Sequence, residues 1–517
     1  MAEHLRWPRT EWLSFTLQGR PWADFEWLGQ LVFHGAYSLG ELGALWALKT
    51  ALLVCVSWLL WRLLQGLSAP ARAAGLAFWA ACMIPRSDLR IELFSCAAFA
   101  ALLLGLERIR TGTEIKNERA AAVAAAGFAL WANIHSGFAA GLLLLGLYAV
   151  AETPALLRKD GEARKRALLF SLSLATGALA ALLNPYGVGV YTVLFTHAAQ
   201  SAAVSTAIVE WAPLDFARDT HRPALLLCAL TAIVLVISLK RRRLPAAWGL
   251  TLAVFGLLCL RHSRFIPYFA AAAVPFALRL SLSRSPSPEE PRRLEPACAA
   301  AVVLCALFSA SIAGRVGVLR RTFDPRYVPA KAAAFLEREP RLLERKLYEP
   351  WGWGGYLGFR LPGLRVFQDG RYLFHPLLAE AGAAMRSPSL WADFLGRRGI
   401  ELVLMENLPL RVATTRRYPD GSTRPFQRPF YLEYFPREDW ALLHFDEKAL
   451  LFARRKAFEP AWLDKAEYKL LRPGDEAALA DALSRGEIDT RRLKAEAERH
   501  SALDAELARA GLLPTRP

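Results

Sequence analysis

The chain has 517 residues, 54% of them hydrophobic, and a mean hydropathy of +0.22, which excludes an ordinary soluble enzyme over most of its length. A net charge of +17 invites a nucleic-acid reading, but much of the excess lies in short basic runs between apolar stretches. Membrane orientation and anionic headgroups account for those runs, so no nucleic-acid partner is expected.

The first stretch, residues 1–41, has no n-region, h-region or small-residue cleavage site, so no secretory signal is expected there. Within it, Gly19-Arg20-Pro21-Trp22-Ala23-Asp24-Phe25-Glu26-Trp27-Leu28 sets two carboxylates two apart among tryptophans. On an extended backbone Asp24 and Glu26 point into one cleft; the plainer alternative is an interfacial segment with an acidic N-cap. Apolar runs then predict helices at 42–64, 71–84, 89–106, 120–133, 137–151, 167–183, 223–239, 246–260, 264–280 and 296–314, about ten spans, several of them short for a bilayer. The seven cysteines (Cys55, Cys82, Cys96, Cys228, Cys259, Cys298, Cys305) all lie inside these spans without CxxC spacing. Neither a disulfide framework nor a zinc site is expected, and no metal-ligating residues are named.

The breaks between spans alternate. One set is plainly basic: Arg108/Arg110/Lys116/Arg119, Arg158/Lys159/Arg164/Lys165/Arg166, Lys240 to Arg243, and Arg279/Arg284/Arg292/Arg293 around a Ser285-Pro286-Ser287-Pro288 linker. The other is short and mixed: Pro85 to Asp88, Asn133 to Ser136, Asn184 through Glu210-Trp211, and Arg261 to Arg264. The positive-inside rule assigns the first set to the cytoplasm and the second, with both termini, to the outer face of the membrane.

The mixed set holds the candidate chemistry. Arg86/Asp88/Arg90/Glu92 alternates charge at a helix mouth, as ion pairs or as an anion site. His135 sits with Asn133 in a very short turn, as a helix-to-helix hydrogen bonder or a substrate contact. Asn184-Pro185-Tyr186-Gly187 ends a helix sharply, and the long loop to Glu210-Trp211 can cover a site. Arg261, His262 and Arg264 between two apolar helices suit a lipid phosphate or pyrophosphate, against simple interfacial anchoring.

Beyond Arg315 the pattern becomes that of a soluble domain. Helices are expected at 326–339 and 390–398, strands at 345–359, 364–368 and 400–405, and a hairpin of 440–445 with 449–453 turning at Asp446-Glu447-Lys448. The resulting organisation is an extracytoplasmic N-terminal segment at 1–41, a transmembrane domain at 42–315, an extracytoplasmic α/β domain at 316–456 and a helical tail at 457–517. Trp353 among glycines, and Asp369 with Arg371 at a strand end, form a second candidate site for sugar stacking and binding; the alternative is a tight turn with a buried Asp369–Arg371 pair.

Taken together and in order, Gly19-Arg20-Pro21-Trp22…Glu26-Trp27-Leu28, Arg90-Ile91-Glu92-Leu93-Phe94-Ser95, Leu130-Trp131-Ala132-Asn133-Ile134-His135-Ser136-Gly137-Phe138, Leu183 to Gly187, Glu210-Trp211, Arg261-His262 and Trp353 to Arg371 resemble a set of bacterial polytopic membrane proteins similar to the GT-C glycosyltransferase superfamily. The resemblance implies transfer of a sugar from a polyprenyl-phosphate carrier to an acceptor outside the cytoplasmic membrane. It implies Asp24 and Glu26 as the acidic groups that activate the acceptor or position a divalent cation, with no other cofactor. Arg261, His262, Arg264 and Arg90 would hold the lipid phosphate, and His135, Asn133, Tyr186, Glu210, Trp353, Asp369 and Arg371 would contact substrate. Relatives usually carry a further helix and an acidic, tryptophan-rich segment ahead of the matching part, which implies either a missing upstream helix or a lost catalytic aspartate. Two other classes stay open: a non-catalytic binder of lipid-linked glycans in envelope polysaccharide assembly, and a transporter or flippase. Against the last, the charged residues cluster at one face rather than at the midplane.

Overall fold

The computed structural model describes residues 7–112, 117–157, 161–204, 208–282, 290–316, 323, 326–418 and 421–509. The Ser285 to Pro288 linker, Lys116, Arg158, Lys159 and Arg284 lie outside the described residues. The chain forms two compact units. The first comprises Met1–Arg9 with Ala23–Arg320, and the second Thr10–Trp22 with Arg321–Pro517.

The first unit is helical: α1 (Trp27–Leu63), α2 (Ala69–Met83), α3 (Glu92–Arg110), α4 (Asn117–Ile134), α5 (Phe138–Glu152), α6 (Gly161–Ala180), α7 (Gly189–Val204), α8 (Arg222–Lys240), α9 (Ala246–Arg261), α10 (Ile266–Leu282) and α11 (Glu290–Val316). Ten of these coincide with the apolar runs read from the sequence. Among the described residues, four stretches are long and apolar enough to cross a membrane: Trp27–Leu63, Phe138–Leu156, Asp219–Lys240 and Ser263–Leu282. Two elements differ from expectation. Helix α1 starts 15 residues before position 42 and breaks at Gly40 and Glu41, whose dihedrals are not helical. Helix α7 occupies what reads in sequence as an outer loop.

Burial follows from composition all round the helix rather than from a stripe. Every residue of α10 from Ile266 to Phe276 is buried, and Phe99 of α3 packs edge-on against Tyr268 of α10 and Phe255 of α9. Helices α1 and α8 instead expose Val54, Trp58, Leu226, Ile233 and Val236, a surface suited to lipid rather than water. At the end with the basic breaks, buried Glu107 accepts hydrogen bonds from Tyr148 Oη at 2.6 Å, Trp248 Nε1 at 2.9 Å and Arg110 at 2.8 and 2.9 Å. One carboxylate thereby ties α3, α5 and α9 together, with its charge answered by a bidentate guanidinium.

The second unit is α/β. It contains α12 (Ala330–Arg338), α13 (Pro340–Leu343), β1 (Leu347–Tyr348), α14 (Trp351–Arg360), α15 (His375–Ala384), α16 (Pro388–Arg397), β2 (Leu402–Glu406), β3 (Arg411–Arg417), β4 (Thr423–Pro429), α17 (Tyr431–Tyr434), β5 (Trp440–Phe445), β6 (Ala449–Arg454), α18 (Pro460–Ala466), α19 (Glu476–Ser484) and α20 (Thr490–Arg509). The main sheet has the order β1-β2-β6-β5, with β1 and β2 parallel and the other pairs antiparallel. Alternate residues of β2 enter two different cores: Val403 and Met405 join Phe435 and Phe452, while Leu402 and Leu404 join Leu336 and Leu357. Both faces are covered, so the strands are apolar throughout instead of alternating. The β5–β6 turn lies where expected, because Asp446 Oδ1 accepts from the amides of Lys448 and Ala449 at 2.6 and 2.7 Å, as aspartate does in turns.

The expected strand over 345–359 is corrected to the two-residue β1 followed by α14. Pro350 fixes the helix start, and the glycines tolerate it for a tertiary reason: a Cβ on Gly354 would lie 1.8 Å from the Gln368 carbonyl oxygen. The expected strand at 364–368 joins no main-sheet strand. It pairs instead with the N-terminal strap, through a parallel bridge from Ser14 to Val366, with Phe15 N donating to Val366 O at 3.2 Å. Residues 10–22 therefore belong structurally with the C-terminal domain, and Phe15 and Leu17 pack into its core.

Candidate functional site

The mixed breaks of the first unit meet one another. The short turn before α3 brings in Arg86, which is 6% exposed and forms ion pairs with Glu92 and, at 2.7 Å, with Glu210. Arg90 reaches the same Glu210 oxygen at 2.5 Å. The 209–211 turn is in turn stitched to the turn before α10: Ser263 N donates to Ala212 O at 3.0 Å, His262 Nδ1 lies 2.7 Å from Trp211 O, and the Arg264 guanidinium stands 4.3 Å over the Trp211 ring. Burial opposes the charge of Glu210, but Arg86, Arg264 and Arg90 outweigh it and hold the carboxyl well below the usual range.

The α1 start and the α4–α5 turn form the other side. Glu26 Oε1 lies 3.4 Å from His135 Nε2. Asp24, 3% exposed, accepts a hydrogen bond from Gln30 Nε2 at 2.8 Å. Trp27 Nε1 donates to Asn133 Oδ1 at 2.8 Å, while Asn133 Nδ2 donates to Leu183 O at 2.8 Å. Tyr186 Oη donates to Pro8 O at 2.8 Å. Burial, followed by the charge of Asp24, pushes the Glu26 carboxyl up to about 8, so it is largely protonated at neutral pH. Burial likewise holds the His135 imidazole down at about 4, leaving it neutral.

An open groove of about 630 Å³ lies at this end, lined by Trp27, Leu28, Leu130, Asn133, Leu183 and Pro185. Leu130 and Leu183 are 56% and 71% exposed, and the amide of Asn133 is the polar group shared by the groove and the loop cluster.

The structure thus gathers Asp24, Glu26, His135, Asn133, Arg90, Glu210 and Arg264 at one end of the helical unit, with His262 and Tyr186 as local fasteners. Arg261 is exposed at the end of α9 and forms no ion pair among the described residues. Glu26 begins α1 with φ −107° and ψ 11°, so the extended backbone expected for the Asp24–Glu26 pair is corrected to a helix-start turn. Arg86 and Glu92, read from the charge alternation at 86–92 as ion pairs or an anion site, are ion-paired here; Ser95, Trp27 and Gln30 belong to the constellation without having been singled out.

In the second unit Asp369 and Arg371 form a clamp. Arg371 Nε donates to both Asp369 oxygens at 2.9 Å, its Nη2 reaches buried Glu11 at 2.8 Å, and its guanidinium stands 4.6 Å over Trp22. Trp353 is 5% exposed and donates to Tyr327 O at 3.0 Å, so it is a core side chain and not an open stacking platform. Among the described residues no group of three or more His, Cys, Asp or Glu side chains is arranged to hold a metal ion.

No protein-family model matches the chain, and no characterised relative emerges from sequence comparison. The functional reading therefore rests on the residues and their geometry.

Proposed function

We propose that this chain is a membrane glycosyltransferase-like protein that moves a sugar from a polyprenyl-phosphate donor to an acceptor on the outer face of the cytoplasmic membrane. What supports the reading is one juxtaposition: the Glu26–His135 pair borders the open apolar groove through Trp27 and Asn133, and the charges of Arg264 and Glu210 bear on Glu26. An apolar groove suits an isoprenoid chain, a guanidinium suits its phosphate, and a carboxylate with a raised pKa suits proton transfer from an acceptor hydroxyl. Arg264 and Arg90 are the phosphate-holding groups in this reading. Burial, and then the like charge of Asp24, keep Glu26 basic.

The test is transfer from a synthetic polyprenyl-phosphate sugar in proteoliposomes holding the full chain. Glu26→Gln is expected to abolish transfer with the protein still folded, and an undiminished rate in both Glu26→Gln and Asp24→Asn overturns the assignment. One observation favours a second reading. Glu26 is mostly protonated at neutral pH, and Arg86 and Arg90 already face Glu92 and Glu210, which suits a non-catalytic protein that binds lipid-linked glycans. That protein would bind the donor without turnover.

A further inference from the structure

Behind His135 lies a polar relay that no substrate can reach. The Gly137 amide N–H donates to His135 Nδ1 at 2.9 Å, and Ser95 Oγ lies 2.8 Å from the same nitrogen. Trp131 Nε1–H donates to Ser95 Oγ at 2.8 Å. An indole nitrogen and a backbone amide can only donate. Ser95 Oγ also bonds the Tyr268 hydroxyl; its two lone pairs can accept from Trp131 and Tyr268, which leaves the serine hydrogen for His135, so two donors converge on Nδ1. That nitrogen must then be the bare one, and the ring hydrogen sits on Nε2, the atom facing Glu26. Ser95 is 0% exposed, which rules it out as a nucleophile despite its histidine partner. The site is packed to this arrangement: a Cβ on Gly137 would lie 2.3 Å from Ser95 Oγ and 2.6 Å from Tyr268 Oη.

We propose that Ser95 is a positioning residue: with the Gly137 amide it holds His135 as the Nε2–H tautomer, with Nε2 3.4 Å from Glu26 Oε1. The chemical consequence is a preference for one form of the acid. An Nε2–H donates to a carboxylate and stabilises Glu26 as a base, whereas the opposite tautomer presents a lone pair and stabilises the protonated acid. No proton needs to move along the relay. When an acceptor hydroxyl gives its proton to Glu26, the imidazole stays neutral and keeps its hydrogen. The other groups bearing on the pair are Asp24 beside it, Arg86 in the turn before α3, Glu92 at the start of α3, Glu210 in the turn before α8 and Arg264 in the turn before α10. None of them bonds Ser95; Tyr268 of α10, which does, is the titratable neighbour whose partner changes with it. The catalytic consequence rests on the transferase reading, but the tautomer does not.

The test uses the full chain with 15N-labelled histidine, its His135 signals identified by their loss in His135→Asn. The wild type is expected to show a hydrogen-bonded, bare Nδ1 and a protonated Nε2. Ser95→Ala is expected to shift the Nδ1 signal toward a free nitrogen or to mix the tautomers, and Ser95→Thr, which keeps the hydroxyl, to restore it. An Nδ1–H tautomer in the wild type, or identical spectra in all three proteins, overturns the proposal. In proteoliposomes Ser95→Ala is expected to lower kcat about tenfold and to move the pH midpoint upward by roughly half a unit, with the donor KM within about twofold. Equal pH profiles alongside a changed tautomer would overturn the positioning role. Absence of transfer in the wild type would count against the transferase reading alone, leaving the spectra to decide the relay.

Discussion

Arg86 Nη1 lies 2.7 Å from Glu210 Oε2, a residue 124 positions later in the chain, and the same buried guanidinium pairs with Glu92. One cation therefore closes two acidic groups that the sequence leaves far apart. Its loss leaves Glu92, 7% exposed, as a buried charge without that partner. Removing one member of a buried pair costs about 3–5 kcal/mol. Arg86→Ala is accordingly expected to destabilise the helical unit by that order, measured as a lowered thermal unfolding midpoint in detergent. Glu210→Gln, which leaves Arg86 its second partner, is expected to cost clearly less.

In the proposed transfer, Glu26 would set the pH dependence. Its carboxyl is raised to about 8, by burial first and by the charge of Asp24 second, and the form able to accept a proton is the ionised one. Transfer is therefore expected to rise with pH through about 8 and not to fall there. Asp24→Asn removes the like charge and is expected to move the midpoint down, while Glu26→Gln removes the limb altogether. A pH–rate profile from neutral to alkaline conditions checks all three.

The groove can be tested without touching that chemistry. Leu183 is 71% exposed on its wall, so Leu183→Asp removes little internal packing but places a charge where an isoprenoid would lie. The expected result is a donor KM raised about tenfold or more at nearly unchanged kcat, together with an unfolding midpoint close to the wild type. A KM that does not move would separate the groove from the donor.

At the opposite end of the helical unit, Tyr148→Phe deletes the hydrogen bond to Glu107. The expected cost is about 1–3 kcal/mol, since a buried carboxylate loses one of its donors, with transfer kinetics unchanged. In the α/β domain, Gly354→Ala drives a methyl group to within 1.8 Å of the Gln368 carbonyl oxygen. Backbone cannot yield as a flexible side chain does, so overpacking of about 1–3 kcal/mol or more is expected, read as early unfolding of that domain by limited proteolysis.

Much of the framework is legible because it rests on local rules. Apolar length locates ten of the helices of the first unit, and the charge asymmetry of their breaks marks which loops belong together. Asp446 announces the β5–β6 turn, and Ile400 to Met405 read as the buried strand that β2 supplies. The start of α1 is not legible, because the polar residues of 27–41 hide a helix that begins at Trp27, ahead of a break at Gly40 and Glu41. The β3–β4 ribbon is hidden for a related reason: Pro419-Asp420-Gly421 between the strands is a turn signal, but Arg411, Arg417, Pro425 and Arg428 leave the strands without an apolar alternation. Helix α14 reads as a glycine-rich loop or strand until Gln368 is placed against Gly354, a long-range fact. At the site, the residue types were visible in Asp24, Glu26, His135 and Arg264, but their partners Arg86, Glu92 and Ser95 are decided by packing between α3, α4 and α10. Asp369, Arg371 and Trp353 have the chemistry of a sugar site and the surroundings of a clamp, a distinction that only burial makes.

The strap formed by Thr10 to Trp22 has a consequence for biogenesis. Glu11 finds its guanidinium partner only after position 371, 360 residues further along, has been made. The α/β domain is therefore expected to close only after the helices between the strap and position 371 have been made. A fragment beginning after α11 is expected to lack one edge of its fold, and supplying residues 1–22 as a separate peptide should complete it.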